Sequence, residues 1–170
     1  EQLTTQDISF GLAPLLNAAG RLDDMTIGIE CLLAKDKKTA ESYARSLYDL
    51  NQVRREIEGE IREKAEAILS EIRLNQTALP SVITLFHKNW HEGVTGIVAS
   101  RLKSDYYRPT FVFAKSEAGF LKGSGRSIQG LHLRDVLAAI DSQYPDLIER
   151  FGGHAMAAGL TVREEHYSNF

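Results

Sequence analysis

The chain has 170 residues, 43% of them hydrophobic and 25% charged, an ordinary globular balance that argues against disordered and fibrous classes. No apolar run reaches the roughly 20 residues needed to cross a bilayer, and the start lacks the basic-then-apolar pattern of a signal peptide, so no membrane association is expected. The formal net charge of −3 argues against binding nucleic acid by bulk electrostatics, so any such contact must be local.

A single cysteine, Cys31, permits no intrachain disulfide and is consistent with a thiol-maintaining, cytoplasmic setting. Glu1 stands where a chain would begin with Met, and 164–170 reads as the opening of a helix. Both ends therefore read as cut.

In chain order, residues 8–34 hold short apolar clusters punctuated by Pro14, Gly20 and Gly28, which predict two short helices joined by a turn at Gly20-Arg21. From Thr39 to Leu74, apolar or stem-bearing residues recur about every 3.6 positions, from Tyr43 and Leu47 to Ile68 and Ile72. This predicts one amphipathic helix of about 50 Å, longer than a small domain needs for its own core and suited to connecting two domains. An apolar run at 81–86, a turn near Asn89, a helix carrying Val94, Ile97, Val98 and Leu102, and a second apolar run at 110–114 make a βαβ unit. A strand over 119–127 entering a glycine-rich loop, a helix with Leu133, Val136, Leu137 and Ile140, and a last strand over 155–162 complete the reading. The expected fold is α/β: a long helical connector, residues 1–76, followed at 77–170 by a small mixed, mainly parallel sheet covered by helices.

Four segments could carry chemistry. Gly123-Ser124-Gly125-Arg126-Ser127 sets two glycines beside two hydroxyls and a guanidinium, a composition that suits a backbone anion nest with a bidentate phosphate fork, although Gly-Ser pairs are also common in hairpin turns. Gly152-Gly153-His154 is followed by small residues to Gly159, and His154 could serve proton transfer or phosphate binding, or be a satisfied histidine in a tight turn. Asn17 to Asp24 could present Asn17 and Arg21 to a phosphodiester, with Asp23 and Asp24 as helix caps or metal ligands. Trp90-His91-Glu92-Gly93 begins like a zinc-protease motif, but Thr95 stands where the second histidine belongs, and that hypothesis fails. No other metal spacing survives inspection.

Taken together and in order, APLLNAAGRLDD at 13–24, WHEGVTGIVASRL at 90–102, KGSGRSIQGLHLRD at 122–135 and FGGHAMAAGL at 151–160 resemble the RecJ-type exonucleases of the Asp-His-His phosphoesterase superfamily. The resemblance implies a two-domain, metal-dependent enzyme of DNA repair and recombination that removes nucleotides from the 5′ end of single-stranded DNA. It implies Mn²⁺ or Mg²⁺ held by an N-terminal Asp/His domain outside this chain, with no metal bound here and no nuclease activity from this chain alone. Residues 77–170 match the DHH-associated substrate-binding domain. Carried over by position, Ser124 and Arg126 would hold a terminal phosphate, Ser127 and Gly153 would support and shape the site, His154 would face the metal ions, and Arg21 and Gln52 would contact the incoming strand. Alternatives are a related phosphoesterase acting on oligoribonucleotides or small nucleotides, and a non-catalytic nucleic-acid-binding module.

Overall fold

The structure, a computed structural model, describes residues 3–75, 79–117 and 119–170. By internal contacts the chain divides into two compact units, Glu1–Gly59 and Glu60–Phe170, the boundary falling inside the long helix.

The first unit opens with a π-helical turn, Asp7–Leu12, that continues directly into α1, Ala13–Leu22, with Pro14 at the junction. Helix α2 spans Thr26–Leu33. The turn between them is made by Asp23, Asp24 and Met25, not by Gly20-Arg21 as the sequence predicts: both of those residues are helical. Two observations account for the shift. The Asp23 N–H closes α1 onto the Ala19 carbonyl at 2.8 Å, and Asp24 Oδ1 accepts from the Thr26 N–H at 2.8 Å and its hydroxyl at 2.7 Å. Asp24 thus organises the entry to α2 as an aspartate-led turn. Those two bonds also hold its carboxyl below the ordinary range.

Helix α3, Lys37–Asn75, matches the predicted long helix and extends it slightly at each end. Its first residues are organised by Asp36, whose carboxylate takes the Thr39 N–H and hydroxyl. Inside the first unit Asn51 is buried, its Oδ1 accepting from Arg54, which in turn pairs with Glu58 at 2.6 Å.

The second unit carries, after the end of α3, β1 (Ile83–Phe86), α4 (Glu92–Tyr106), β2 (Thr110–Lys115), β3 (Phe120–Arg126), α5 (Leu133–Gln143), β4 (Arg150–Gly153), β5 (Ala157–Arg163) and a short 3₁₀ helix, Glu164–Asn169. The sheet order is β1-β2-β3-β5-β4. A mixed sheet with covering helices agrees with the predicted class, but the parallel majority does not hold. Among the described residues only β1 and β2, separated by the α4 crossover, run parallel; β2-β3, β3-β5 and β5-β4 are antiparallel. For β2-β3 and β4-β5 the reason is a short connection. Ser116 donates to the Phe120 carbonyl at 3.0 Å and His154 to the Ala157 carbonyl at 2.8 Å, closing tight turns that reverse the chain, whereas a parallel return needs a long crossover.

The core lies on one face of this sheet, where Phe111, Phe113, Leu121, Leu160 and Val162 meet Leu133 and Leu137 of α5 and Ile148. The 3₁₀ helix brings Tyr167 and Phe170 edge-on to Phe113, with ring centroids 5.3 and 5.5 Å away. On the opposite face, Val94, Val98 and Leu102 of α4 are fully buried, and α4 packs on β2 and β3.

Candidate phosphate-binding site

The period of two along β3 decides which residues can meet a ligand. Leu121, Gly123, Gly125 and Ser127 point into the buried side; Lys122, Ser124 and Arg126 share the other face, where α4 lies. The predicted strand therefore runs through the segment read as an anion nest. Neither Gly123 nor Gly125 has a positive φ, so no backbone nest forms there. Their lack of a side chain serves packing instead. A Cβ at 125 would stand 2.5 Å from the Phe111 ring and 2.8 Å from Leu133, and one at 123 would enter the Phe113 ring and come within 2.7 Å of Leu160.

What survives of the phosphate reading is side-chain chemistry on the α4 face. Ser124 Oγ lies 3.0 Å from Thr95 Oγ1, and Thr95 also bonds the Glu92 carbonyl at 2.9 Å. The Arg126 Nε donates to Ser100 Oγ at 3.1 Å and Nη1 to the Gly125 carbonyl at 2.8 Å. Lys122 is paired with Glu92 at 3.0 Å, which tempers the positive charge at the far end of the row. A hydroxyl and a guanidinium two residues apart on one strand, both half-exposed and both tethered to one helix, form a preset pair for an anion's oxygens.

Gly153 and His154 approach the same edge from β4. Arg126 pairs with Ala157 in the β3-β5 ladder, and the His154 N–H bonds that same residue's carbonyl, so Arg126 and His154 flank Ala157. His154 is exposed. Gly153 has φ 149°, and a Cβ there would strike the Ala157 carbonyl and stand 2.5 Å from the Ala158 Cα, so only glycine fits this turn into β5. Beside Ser124 on the open face, Gly159 and Gly152 are exposed and leave the sheet backbone uncovered.

Ser127 is fully buried; its hydroxyl donates to the Leu131 carbonyl at 2.8 Å and its N–H to the Met156 carbonyl at 3.0 Å, tying the segment after β3 to the approach to β5. Arg21 and Gln52 belong to the first unit. Arg21 is exposed in the last turn of α1, and Gln52 is half-buried on α3 with its amide donating to the Tyr48 hydroxyl at 3.0 Å. His91 caps α4, its Nδ1 accepting from the Gly93 N–H at 3.1 Å. Among the described residues, no three His, Cys, Asp or Glu side chains converge as a metal site requires, so the residues present do not fit a Mg²⁺ or Mn²⁺ centre of their own.

Three residues that touch the pair, Thr95, Gly96 and Ser100, were not singled out by sequence reasoning. Their signal was present as small residues recurring on one face of α4.

A family model for the DHHA1 domain matches residues 79–170, and the chain belongs to that family. Over all 170 residues it is 52% identical to the single-stranded-DNA-specific exonuclease RecJ of Haemophilus influenzae, and it spans 30% of that protein's length. Among solved structures it is similar to RecJ from Thermus thermophilus in complex with Mg²⁺, at 32% identity and a TM-score of 0.80, covering 96% of this chain and 24% of that one. It is also similar to an exonuclease RecJ bound to manganese, at 30% identity and a TM-score of 0.78, covering 98% and 39%.

Proposed function

We propose that this chain is the substrate-holding part of a 5′-to-3′ single-stranded-DNA exonuclease of DNA repair and recombination, with residues 1–76 as connector and 77–170 as the DHH-associated domain. The observation that carries the reading is the Ser124–Arg126 pair, aligned on one strand face and tethered to α4. Its role is to seat the 5′-terminal phosphate. Two-metal hydrolysis takes its activated water and charge neutralisation from Mn²⁺ or Mg²⁺, and those ions belong to an Asp/His domain outside this chain. What remains for these residues is orientation, which contributes several kcal/mol when a remote group is held firmly. His154, on the open side of Ala157, faces the phosphate under attack, while Arg21 and Gln52 meet the incoming strand. Ser127 and Gly153 keep the two turns that frame the pair. Among the described residues no helix is long and apolar enough to cross a membrane.

The test is steady-state kinetics of the full-length protein on 5′-phosphorylated and 5′-hydroxyl single strands. Arg126→Ala should lower catalytic efficiency on the phosphorylated strand by about ten- to a hundredfold per lost charge-assisted bond. Arg126→Lys should recover only part, because an ammonium lacks the planar fork. Equal, small effects on both substrates would refute the assignment.

A further inference from the structure

The guanidinium of Arg126 rests on helix α4 at a residue without a side chain. A Cβ built at Gly96 would stand 2.8 Å from Arg126 Nη2, 3.5 Å from its Cζ and 3.6 Å from Ser124 Oγ. Gly96 is buried, and its missing side chain therefore points between the two groups that make the pair. One turn further along the same helix, Ser100 Oγ accepts from Arg126 Nε at 3.1 Å. Nη1 also donates to the Gly125 carbonyl of its own strand. Helix α4 thus meets the planar group at two points, Gly96 and Ser100.

We infer that Gly96 and Ser100 are positioning residues: together they form a seat on α4 that fixes the Arg126 guanidinium beside the Ser124 hydroxyl, and so set how well the site distinguishes a phosphate-ended strand from a hydroxyl-ended one. This rests on the reading of Arg126 as a phosphate ligand. A glycine inside a helix is otherwise a cost, since alanine is the better helix former, and Gly96 has no positive φ that would demand glycine. The two roles therefore separate by sign. If Gly96 served packing alone, adding a methyl group would disturb the fold. As a seat, its replacement meets only the far end of a flexible side chain, so the fold should keep or gain stability while the guanidinium is pushed off its place.

The experiment uses the full-length protein with oligothymidylate carrying either a 5′-phosphate or a 5′-hydroxyl, and reads the ratio of the two kcat/KM values. Gly96→Ala is expected to lower that ratio about tenfold, with a thermal midpoint equal to or above that of the parent. Ser100→Ala, which removes the Nε acceptor, is expected to lower the ratio in the same direction. In an Arg126→Ala background neither change should lower the ratio further, because both act through the guanidinium. The inference is overturned if Arg126→Ala lowers the ratio but Gly96→Ala and Ser100→Ala leave it unchanged, or if they lower it equally in both backgrounds. If Arg126→Ala itself leaves the ratio unchanged, the phosphate-ligand reading fails and the seat fails with it.

Discussion

Phe113 stands directly opposite Gly123 across the β2-β3 ladder, and its ring occupies the space that a side chain at 123 would need. Phe111 and Gly125 repeat the arrangement two residues away. In both pairs a large residue and an absent one share a single volume, and the central strand passes beneath the aromatic layer.

Gly123→Ala and Gly125→Ala are accordingly expected to destabilise the fold by about 1–3 kcal/mol each, the usual cost of overpacking. Gly159→Ala, whose added Cβ would meet only the Gly123 carbonyl at 3.9 Å, should be neutral or slightly stabilising. Urea denaturation midpoints decide the matter: comparable losses at all three positions would sink the volume-sharing account.

The adjacent glycines of β4 should behave oppositely. A Cβ at Gly152 meets nothing within 4 Å, whereas at Gly153 it runs into β5 backbone that cannot step aside. Gly153→Ala is expected to cost about 1–3 kcal/mol and Gly152→Ala less than about 1 kcal/mol. Similar unfolding curves for the two variants would contradict this.

Ser124 and Ser127 offer a second contrast. Ser127→Ala removes the hydrogen bond from the buried hydroxyl to the Leu131 carbonyl and should lower stability by about 1 kcal/mol without changing preference for a 5′-phosphate. Ser124→Ala, on the half-exposed face, should reduce that preference with little loss of stability. Calorimetry and paired-substrate kinetics on both variants check the division; an effect of Ser127→Ala on phosphate preference with an unchanged melting temperature would reverse it.

Alkaline pH should weaken the second unit. Burial pushes the Tyr167 phenol above its ordinary value, partly opposed by a hydrogen bond with Thr84. Tyr106 is raised by burial first and then by donating to the Glu66 carboxylate. Because each folded value exceeds the unfolded one, the unfolded chain releases these protons first. The associated stability is present below about pH 10 and is lost as pH rises through the folded values. Stability measured from about pH 9 to 11 should fall, and fall less steeply in Tyr106→Phe and Tyr167→Phe; identical slopes would argue against this cause.

The long helix could be read from the sequence because its repeat persists over some thirty residues and depends on no partner. The βαβ start was equally plain, since apolar runs on either side of an amphipathic segment admit few other arrangements. The backbone-nest reading of Gly123 to Arg126 failed for a physical reason. Two glycines suit a tight turn and also suit a strand beneath aromatic rings, and the residues that choose between these, Phe111 and Phe113, lie on a different strand. Strand β4 was missed because four residues with two glycines carry no strand pattern, and β5 supplies its pairing. For the candidate site, chemistry alone drew attention to Ser124 and Arg126, while the proximity of Gly96 and Ser100 to them was not legible, because it depends on how a helix lies against a strand.

Strand β3 leaves no spare letter between 121 and 127, since odd numbers belong to the interior and even numbers to the open face. Losing one residue from it would turn the guanidinium inward and a core residue outward at a single stroke. On this strand, substitutions that alter the α4 face and spare the core are therefore confined to 122, 124 and 126. If the proposed phosphate site holds, a lineage adapting it to another anion would find α4 the more forgiving place to begin, because a change there alters the surroundings of Ser124 and Arg126 and leaves the sheet's aromatic face untouched.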